Sequence, residues 1–312
     1  MNLDLLATGY PSLDYLYRTS RSPAEDETAI LESFSPGYTY GGCGLNIATT
    51  LAKLGFRTGV AVVLGDDVDG KSYLRYLNNM GVDTVNLVCL PQSATSRAYI
   101  FLNPQGRYQL FFYPGAAGEW RPPLRLEGLD KVKACLLTVG APQYTQAFVD
   151  CVLEAGVPLL WQMKADVQAY PPDKLGRLIC GSKIIFMNET ENRYLMQAAG
   201  VGTVSGLLND PDQVIVITRG ARGSTVCTSH GLCEVPPVHP RQFVDSTGAG
   251  DGFTAGFLAG WFKGLPLEVC ARLGAVLASF VLEEIGCQTN LPGWPQLAER
   301  YQAFFLESLE NR

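Results

Sequence analysis

Four short apolar segments, each followed by a polar loop, constrain the fold of this chain more than any other feature. They are VAVVL before GDD, CLLTV before GAP, IIFM before NETE and VIVI before TRG, at residues 60–64, 135–139, 184–187 and 214–217. Helix-like stretches alternate with them, as at residues 143–154, where Gly156 marks the end. Strands that are apolar on both faces and alternate with helices are typical of a mostly parallel sheet between two helix layers. The sequence therefore predicts an α/β, Rossmann-like fold, with ligands at the carboxyl ends of the strands.

The overall composition argues against several classes of protein. The 312 residues are 47% hydrophobic and carry a net charge of −6, which argues against nucleic acid as a partner, because binding to a phosphate backbone needs a basic surface. No segment approaches the ~20 apolar residues of a membrane span, and MNLDLLATGY at the N-terminus lacks the basic start of a signal peptide, so we expect no membrane partner. The nine cysteines form no CxxC pair, which favours reduced thiols in a cytoplasmic protein.

One segment, at residues 95–116, departs from the pattern of strands and helices. TSRAYIFLNPQGRYQLFFYPGA alternates with period two on either side of an Asn-Pro-Gln-Gly turn at 103–106, which predicts a β-hairpin. One face of its first strand carries Ala98, Ile100 and Leu102, and the other carries Arg97, Tyr99 and Phe101. A hairpin that is apolar on both faces must cover something on each side. We expect a lid over a ligand that also presses against a second subunit; the alternative is an edge hairpin packed on the core.

The stretch GDDVDGKS, at residues 65–72, matches the phosphate-binding pattern GxxxxGK[ST]. Its chemistry does not suit phosphate, because Asp66, Asp67 and Asp69 would set three carboxylates beside the phosphate oxygens. Like charges a few ångströms apart repel by about 1 kcal/mol even in water. The sequence therefore predicts that any phosphate site lies elsewhere.

The stretch VDSTGAGDGFTAGFLAGWF, at residues 244–262, has the features that an anion site needs. Gly248, Ala249 and Gly250 lead into small and apolar residues that predict a buried helix from about Ala249 onward. A glycine-rich turn at a helix start directs several backbone N–H groups, and the positive end of the helix dipole, at one spot. Asp251 beside that spot is placed to deprotonate a hydroxyl as it attacks a phosphoryl group. The alternative is that this carboxylate only stabilises the helix end.

A second glycine turn occurs in YGGCGLNIATTLAKLG, at residues 40–55. It leads into a helix with Ile47, Leu51 and Leu54 on one side. A dinucleotide-binding fingerprint needs GxGxxG, and Ile47 stands where the third glycine belongs, so a dehydrogenase is disfavoured. Gly42 would let the backbone approach a ligand, and Asn46 offers both a donor and an acceptor, which suits a polyol. The alternative is that these glycines serve packing alone.

The segments GGCGLN and STGAGD together resemble the two signatures of the ribokinase-like (PfkB) sugar and nucleoside kinases. TGYPSLD, GDDVDG, NETE and TRGARG are similar to further elements of that family in the same order, and GDDVDG then corresponds to a structural loop. FFYPGA at 111–116 and EEIGCQTNLP at 283–292 are closer to the adenosine-kinase-like branch. The resemblance implies a single ribokinase-like domain over residues 1–312, with a small β lid formed by about 15–40 and 93–116.

The implied activity is the ATP-dependent phosphorylation of a primary hydroxyl on a sugar or nucleoside. The implied catalytic groups are Asp251 as general base and the amides of Gly248, Ala249 and Gly250 as donors to the migrating phosphoryl group. The implied acceptor site contains Asp14, Gly42, Asn46 and Arg97. The alternative is a non-catalytic sugar or nucleoside sensor on a kinase scaffold.

The resemblance also implies cofactors and partners. Asn188, Thr218, Gly220 and Gly223 would contact the nucleotide, and Glu191 would hold Mg²⁺ through water. Asp245 and Thr247 resemble positions that help to bind a monovalent cation, such as K⁺, in some members. Where many relatives carry an Asn- or Arg-containing phosphate contact, this chain has WQMKAD at 161–166; Lys164 is either the replacement or a solvated surface lysine. A homodimer formed through the lid is a further expectation.

Overall fold

The computed structural model describes residues 2–105, 108–164 and 170–309, and the side chain of Tyr108 is left out of this description. The strands, in chain order, are β1 (Leu3–Thr8), β2 (Ser12–Thr19), β3 (Leu31–Phe34), β4 (Thr39–Gly41), β5 (Thr58–Val60), β6 (Val63–Gly65), β7 (Val88–Leu90), β8 (Arg97–Leu102), β9 (Tyr108–Tyr113), β10 (Val132–Leu137), β11 (Leu159–Gln162), β12 (Ser182–Asn188), β13 (Val214–Thr218), β14 (Ser224–Thr228) and β15 (Gly231–Val235). The helices are α1 (Cys43–Lys53), α2 (Val68–Asn79), α3 (Gly115–Glu119), α4 (Pro142–Glu154), α5 (Pro172–Gly181), α6 (Glu189–Ala199), α7 (Ala249–Phe262), α8 (Leu267–Val281) and α9 (Trp294–Phe305).

An eight-stranded sheet in the order β15-β14-β13-β12-β11-β10-β1-β5 forms the centre of the chain. Its strands are parallel from β5 to β13, and β14 and β15 are antiparallel at the edge. Alternate residues of each strand enter two separate cores: Leu136 packs on the side of α1, α7 and α8, and Cys135 on the side of α4, α5 and α6. The predicted α/β class, a mostly parallel sheet between helix layers, is confirmed.

Three of the four apolar segments lie in strands of this sheet, as predicted, and the fourth is divided. VAVVL spans the end of β5 and the start of β6, and β6 pairs with β7 in a separate two-stranded sheet. β5 is the last strand of the central sheet, its outer edge bonds only to the short stretch around Asp83, and the chain beyond Val60 pairs with β7 instead. An apolar segment of this length does not reveal such a change of partner.

The predicted hairpin is confirmed, because β8 and β9 pair in antiparallel register from Arg97↔Tyr113 to Leu102↔Tyr108. Gly106 of its expected turn lies outside the described residues. The hairpin joins β2, β3 and β4 in a second, five-stranded sheet. We call this sheet the lid sheet, and its two faces have different side chains. Asp14, Leu16, Ala98 and Ile100 lie on its inner face, and Tyr15, Tyr17, Tyr99 and Phe101 lie on its outer face.

The GDD loop caps the start of α2. The Asp67 side chain accepts a hydrogen bond from the Gly70 amide at 2.7 Å and two more from Thr95, at 2.9 Å from its amide and 2.7 Å from its hydroxyl. The helix terminus that a P-loop would offer to phosphate is therefore capped by a carboxylate of the chain itself. Among the helices of the described residues, none combines the length and the hydropathy that a bilayer-spanning segment needs.

Candidate active site

The start of α7 forms an anion-binding turn. Gly248 is the N-cap residue with φ 77°, in the left-handed region, and a Cβ atom there would lie 2.3 Å from the Cβ of Cys287. Only glycine meets both requirements. No side chain in the described part of the chain caps this helix; the Ala249 amide donates to the Ser246 carbonyl at 3.3 Å, and the Gly250 amide is available to phosphate oxygens. These residues therefore suit the terminal phosphate of a nucleotide.

Asp251 lies in this first turn, and its side chain is held from two sides. It is 5% exposed. One carboxylate oxygen accepts a hydrogen bond from the Asn46 amide nitrogen at 2.7 Å, and the other accepts one from the Gln162 amide nitrogen at 2.5 Å. Asn46 comes from α1 and Gln162 from the carboxyl end of β11. The structure thus brings the two predicted glycine segments together at one carboxylate.

Asn46 is itself fixed by a chain of hydrogen bonds that the sequence analysis missed. The Gln288 amide nitrogen donates to the Asn46 side-chain oxygen at 2.7 Å and lies 3.3 Å from the Tyr73 hydroxyl. That hydroxyl donates to the carbonyl of Gly41 at 2.5 Å. Gly42, next in the chain, has φ 97°, and a Cβ atom there would lie 2.3 Å from the carbonyl oxygen of Tyr10. The glycine turn, α1, α2 and the loop after α8 therefore share one polar network.

Asp14, which the sequence predicts to bind the acceptor, lies on the inner face of the lid sheet. Burial raises its pKa to about 6, the Ser12 hydroxyl opposes the rise by donating a hydrogen bond, and the nearby carboxylates of Asp251 and Asp245 add to it. A carboxylate held near two others is costly when nothing is bound, and hydroxyl donors from a ligand would relieve that cost.

The raised pKa of Asp14 predicts a specific dependence of stability on pH. Because the folded-state pKa lies above the ordinary value of 3.8, the stability that protonation of Asp14 provides is complete below about pH 4 and is lost as the pH rises through about 6. We therefore expect Asp14→Asn to unfold at higher urea concentration than the wild type at pH 8, with a smaller difference at pH 4.5. Urea titrations at the two pH values measure this, and a variant less stable than the wild type at pH 8 would contradict it.

The nucleotide-binding candidates lie on neighbouring strands. Asn188 and Thr218 are register partners at the carboxyl ends of β12 and β13. Gly220 and Gly223 follow in the next loop with φ 57° and 85°. The Asn188 side chain accepts hydrogen bonds from the amides of Thr190 and Glu191, both at 2.9 Å. These groups lie along one edge of the sheet, where a ligand of a doubly wound fold binds.

Glu191 caps the start of α6 and also lies near the charged groups of the site. Its carboxylate accepts a hydrogen bond from the Asn188 amide at 2.7 Å, which completes a capping box at the start of α6. Burial raises the pKa of Glu191, and the Lys164 ammonium opposes that rise. The Asp251 carboxylate, like burial, raises the pKa of Glu191. Glu191 therefore lies within electrostatic reach of both Lys164 and Asp251.

The two monovalent-cation candidates lie in the loop before α7. The Asp245 carboxylate accepts hydrogen bonds from the Thr247 amide at 2.9 Å and the Gly286 amide at 3.1 Å, so it ties this loop to the segment after α8. Over residues 2–105, 108–164 and 170–309, no group of three His, Cys, Asp or Glu side chains could hold a metal ion. Mg²⁺ binding by one carboxylate and the phosphates of a nucleotide would suit this arrangement.

Arg97 does not join the other acceptor-site candidates. It lies on the outer face of the lid sheet, because it alternates with Ala98 along β8. Its guanidinium pairs with Asp69 at 3.0 Å and with Asp67 at 3.9 Å. These contacts tie the lid sheet to the GDD loop, and a role of Arg97 in substrate binding stays a prediction.

Comparison with known proteins agrees with this geometry. The sequence model of pfkB family carbohydrate kinases matches residues 5–294. A nucleoside kinase of Methanocaldococcus jannaschii is 31% identical over 303 residues, which cover 96% of each chain. The crystal structure of M. jannaschii nucleoside kinase superimposes with a TM-score of 0.83 at 27% identity, covering 97% of this chain and 99% of that one. A Burkholderia thailandensis nucleoside kinase in complex with inosine shares the fold, with a TM-score of 0.85 at 22% identity over 97% and 98% of the two chains.

These matches confirm the enzyme class predicted from the sequence, an ATP-dependent carbohydrate or nucleoside kinase. The family match extends over nearly the whole chain, and it includes both glycine turns, Asp14 and Asp251. The chain therefore belongs to the pfkB family of carbohydrate kinases.

Proposed function

We propose that this kinase transfers the terminal phosphoryl group of ATP to the primary hydroxyl of a nucleoside, with Asp251 as general base. The observation that carries the proposal is the placement of Asp251, buried in the first turn of α7 beside uncapped backbone amides, with Asn46 and Gln162 holding its oxygens. A fixed carboxylate next to an anion hole can accept a hydroxyl proton while the amides hold the transferred group.

Each part of the site has one task in this reaction. Asp14, Gly42 and Asn46 hold the hydroxyls of the acceptor, and Asp251 takes the proton of the attacking hydroxyl. The amides of residues 248–250 hold the phosphoryl group, while Asn188, Thr218, Gly220 and Gly223 bind the rest of the nucleotide. Mg²⁺ supplies positive charge to the phosphates when it is bound, and Glu191 would hold it through water. Asp245 and Thr247 would bind K⁺ in the loop before α7. Assays in KCl and NaCl at equal ionic strength can test this cation site.

The inner face of the lid sheet supports a nucleoside rather than a free sugar. Next to Asp14 it carries the buried Leu16, Ala98 and Ile100, with Leu102 and Ile285 packed against them. An apolar wall suits a nucleobase, whereas sugar hydroxyls placed against it would lose hydrogen bonds to water. Among the relatives, the M. jannaschii enzyme is named a nucleoside kinase and the B. thailandensis enzyme binds inosine.

An acceptor panel tests this proposal. Purified protein is incubated with Mg-ATP and, separately, with purine nucleosides, pyrimidine nucleosides, ribose and other free sugars, and ADP release is followed. A base that buries about 100 Å² of apolar surface contributes about 2.5 kcal/mol, so kcat/KM for the best nucleoside should exceed that for ribose by nearly 10²-fold. Equal or better use of a free sugar would refute the nucleoside assignment. Tight acceptor binding with no product in any mixture would favour the sensor.

Lys164 is the cation that we propose to contact the transferred phosphoryl group. It lies two residues beyond Gln162, and its charge acts on Glu191 at the nucleotide side of the site. Lys164→Met should lower kcat by about 10²-fold, the scale of one lost charge-stabilising donor, and Lys164→Arg should restore part of it. Steady-state kinetics measure both, with Lys183→Met on the protein surface as the control. Turnover of Lys164→Met equal to that of the control would contradict the role.

The outer face of the lid sheet is the surface through which we propose that two copies associate. Tyr15 stacks on Tyr99 and Tyr17 on Phe101, yet the neighbouring Phe111 and Phe34 are 61% and 67% exposed. A contiguous aromatic surface of this kind marks an interaction site. Sedimentation should show a dimer for the wild type and a monomer for Phe111→Glu. Val68→Glu, at an apolar residue 80% exposed on α2, should leave the dimer intact; a monomeric wild type would end this proposal.

The cytoplasm is the compartment that we propose for the reaction. All nine cysteines are free thiols. Unpaired cysteines are typical of a reducing compartment.

A further inference from the structure

We propose that Gln162 is a positioning residue that fixes the orientation of the catalytic base, together with Asn46. This inference rests on the proposed role of Asp251. Gln162 touches the carboxylate rather than the reacting groups, and its amide nitrogen lies 2.5 Å from the Asp251 oxygen that Asn46 does not contact.

The alternation of side chains along β11 determines the face of the sheet to which Gln162 points. Trp161 and Met163, on either side of Gln162, are fully buried in the core on the α4–α6 side of the sheet. The amide of Met163 donates to the carbonyl of Phe186 at 2.9 Å, so the backbone stays extended beyond β11. Successive side chains of a strand point to opposite faces, and Gln162 therefore points to the face where α7 begins.

Two amide donors constrain a carboxylate more than one does. The terminal torsion of an aspartate is broad, so a single donor leaves the carboxylate plane free to turn. Asn46 donates to one oxygen from α1, and Gln162 donates to the other from β11, on a different element. Asn46 is held in turn by Gln288. The plane of the Asp251 carboxylate is thereby fixed, and a remaining lone pair can be directed at the acceptor hydroxyl.

The environment of Gln162 argues against a purely structural role. It is 6% exposed, and its side-chain oxygen has no hydrogen-bond partner within the described residues. A buried acceptor left unpaired costs about 1–3 kcal/mol. Leu or Met would fill the same volume without that cost. The bond to Asp251 thus accounts for an amide at this place, and residues that lower stability in this way are typical of functional sites.

Two substitutions test the inference. Gln162→Met removes the donor and should lower kcat by about 10- to 10²-fold, with KM for the acceptor changed by less than about threefold, because the groups that bind the acceptor remain. Gln162→Glu keeps the shape but sets a second carboxyl against Asp251. Since two adjacent carboxylates cannot both ionise readily, the acidic limb of the kcat profile should move to higher pH by about one unit or more.

A matched control separates positioning from packing. Gln213 is another buried glutamine, whose amide donates to the carbonyls of Ile179 and Ser182 at 2.6 and 2.7 Å; it directly precedes β13, two strands away from β11 and at the amino ends of the strands. Gln213→Met should lower the free energy of unfolding and leave the kcat–pH profile unchanged. Gln162→Met should do the opposite: equal or greater stability in urea, with lower kcat.

Parallel assay of Asp251→Asn keeps the two proposals distinguishable. If Asp251→Asn retains wild-type turnover, the proposed base is wrong. If Asp251→Asn loses activity while both Gln162 variants keep the wild-type kcat and pH profile, the base stands and the positioning role of Gln162 is overturned. A shifted acidic limb in Gln162→Glu supports the inference even if Gln162→Met does not fold.

Discussion

Replacement of Asp251 by Asn should lower kcat by about 10²- to 10⁴-fold, the range of general-base effects. The substitution keeps the size of the side chain, but an amide cannot accept the hydroxyl proton. It also leaves one of the two amide donors, Asn46 or Gln162, facing another N–H group, because Asn has only one acceptor oxygen. KM for ATP should change little, because the backbone amides of the turn remain. Initial rates of ADP release with the preferred acceptor, over a range of both substrates, provide the measurement.

The matched control is Asp150→Asn on the outer surface of α4, where the carboxylate is 41% exposed and pairs with Arg177. Its kcat should stay within about twofold of the wild type, because the loss of an exposed ion pair changes the free energy by less than about 1 kcal/mol. If Asp251→Asn turned over as fast as this control, the proton would have to leave by another route, and the assignment of the base would be abandoned.

Removal of the Arg300 guanidinium should destabilise the fold by about 3–5 kcal/mol near neutral pH, as expected when one partner of a buried ion pair is lost. Arg300 and Glu283 are 8% and 7% exposed and form two hydrogen bonds, at 2.8 and 3.1 Å. The guanidinium also donates to the Ser279 hydroxyl at 2.9 Å and lies over the ring of Phe280. In Arg300→Met, a buried carboxylate would remain without its partner. Urea denaturation at pH 7.5 measures the loss.

The sign of the pH dependence gives a second check on this pair. Burial acts to raise the pKa of Glu283, but the Arg300 guanidinium and the Arg241 amide outweigh it and hold that pKa below 4.5. Stability from Glu283 is therefore present above pH 4.5 and is lost as the pH falls through the lower folded-state pKa. The deficit of Arg300→Met should shrink at pH 4. Arg177→Met, at an exposed pair, should cost less than about 1 kcal/mol; an equal cost for both variants would contradict this account.

This ion pair also links stability to the site. The pair lies just beyond the end of α8. In the segment that follows, the Gly286 amide donates a hydrogen bond to Asp245 and the Gln288 side-chain amide donates one to Asn46. Loosening that segment should therefore disturb the polar network around the base. We therefore expect variants that weaken this ion pair to lower both stability and activity.

Much of the architecture was accessible from the sequence because it depends on local patterns. Continuous apolar segments predicted buried strands, and period-two alternation predicted the hairpin and the faces of Ala98 and Tyr99. Glycine turns before apolar helices predicted the starts of α1 and α7. The division of VAVVL between two sheets was not accessible, because it depends on which strand lies alongside.

The residues that the sequence did not reveal are those whose partners are remote in the chain. Gln162 lies 89 residues from Asp251, and Gln288 lies 242 residues from Asn46. A glutamine in a strand or loop gives no periodic signal, although a polar residue between Trp161 and Met163 in an otherwise apolar strand was a usable hint. The pairing of Arg97 with Asp69 and Asp67 was not accessible for the same reason, since only the fold brings those carboxylates within its reach.

The most direct test of the central claim is a crystal structure of the chain with its preferred acceptor and a non-hydrolysable ATP analogue. We expect the primary hydroxyl oxygen to lie about 2.6–3.2 Å from a carboxylate oxygen of Asp251. The terminal phosphate should contact the amides at the start of α7. A primary hydroxyl placed beyond hydrogen-bond reach of Asp251, with the phosphate bound away from that turn, would contradict the account.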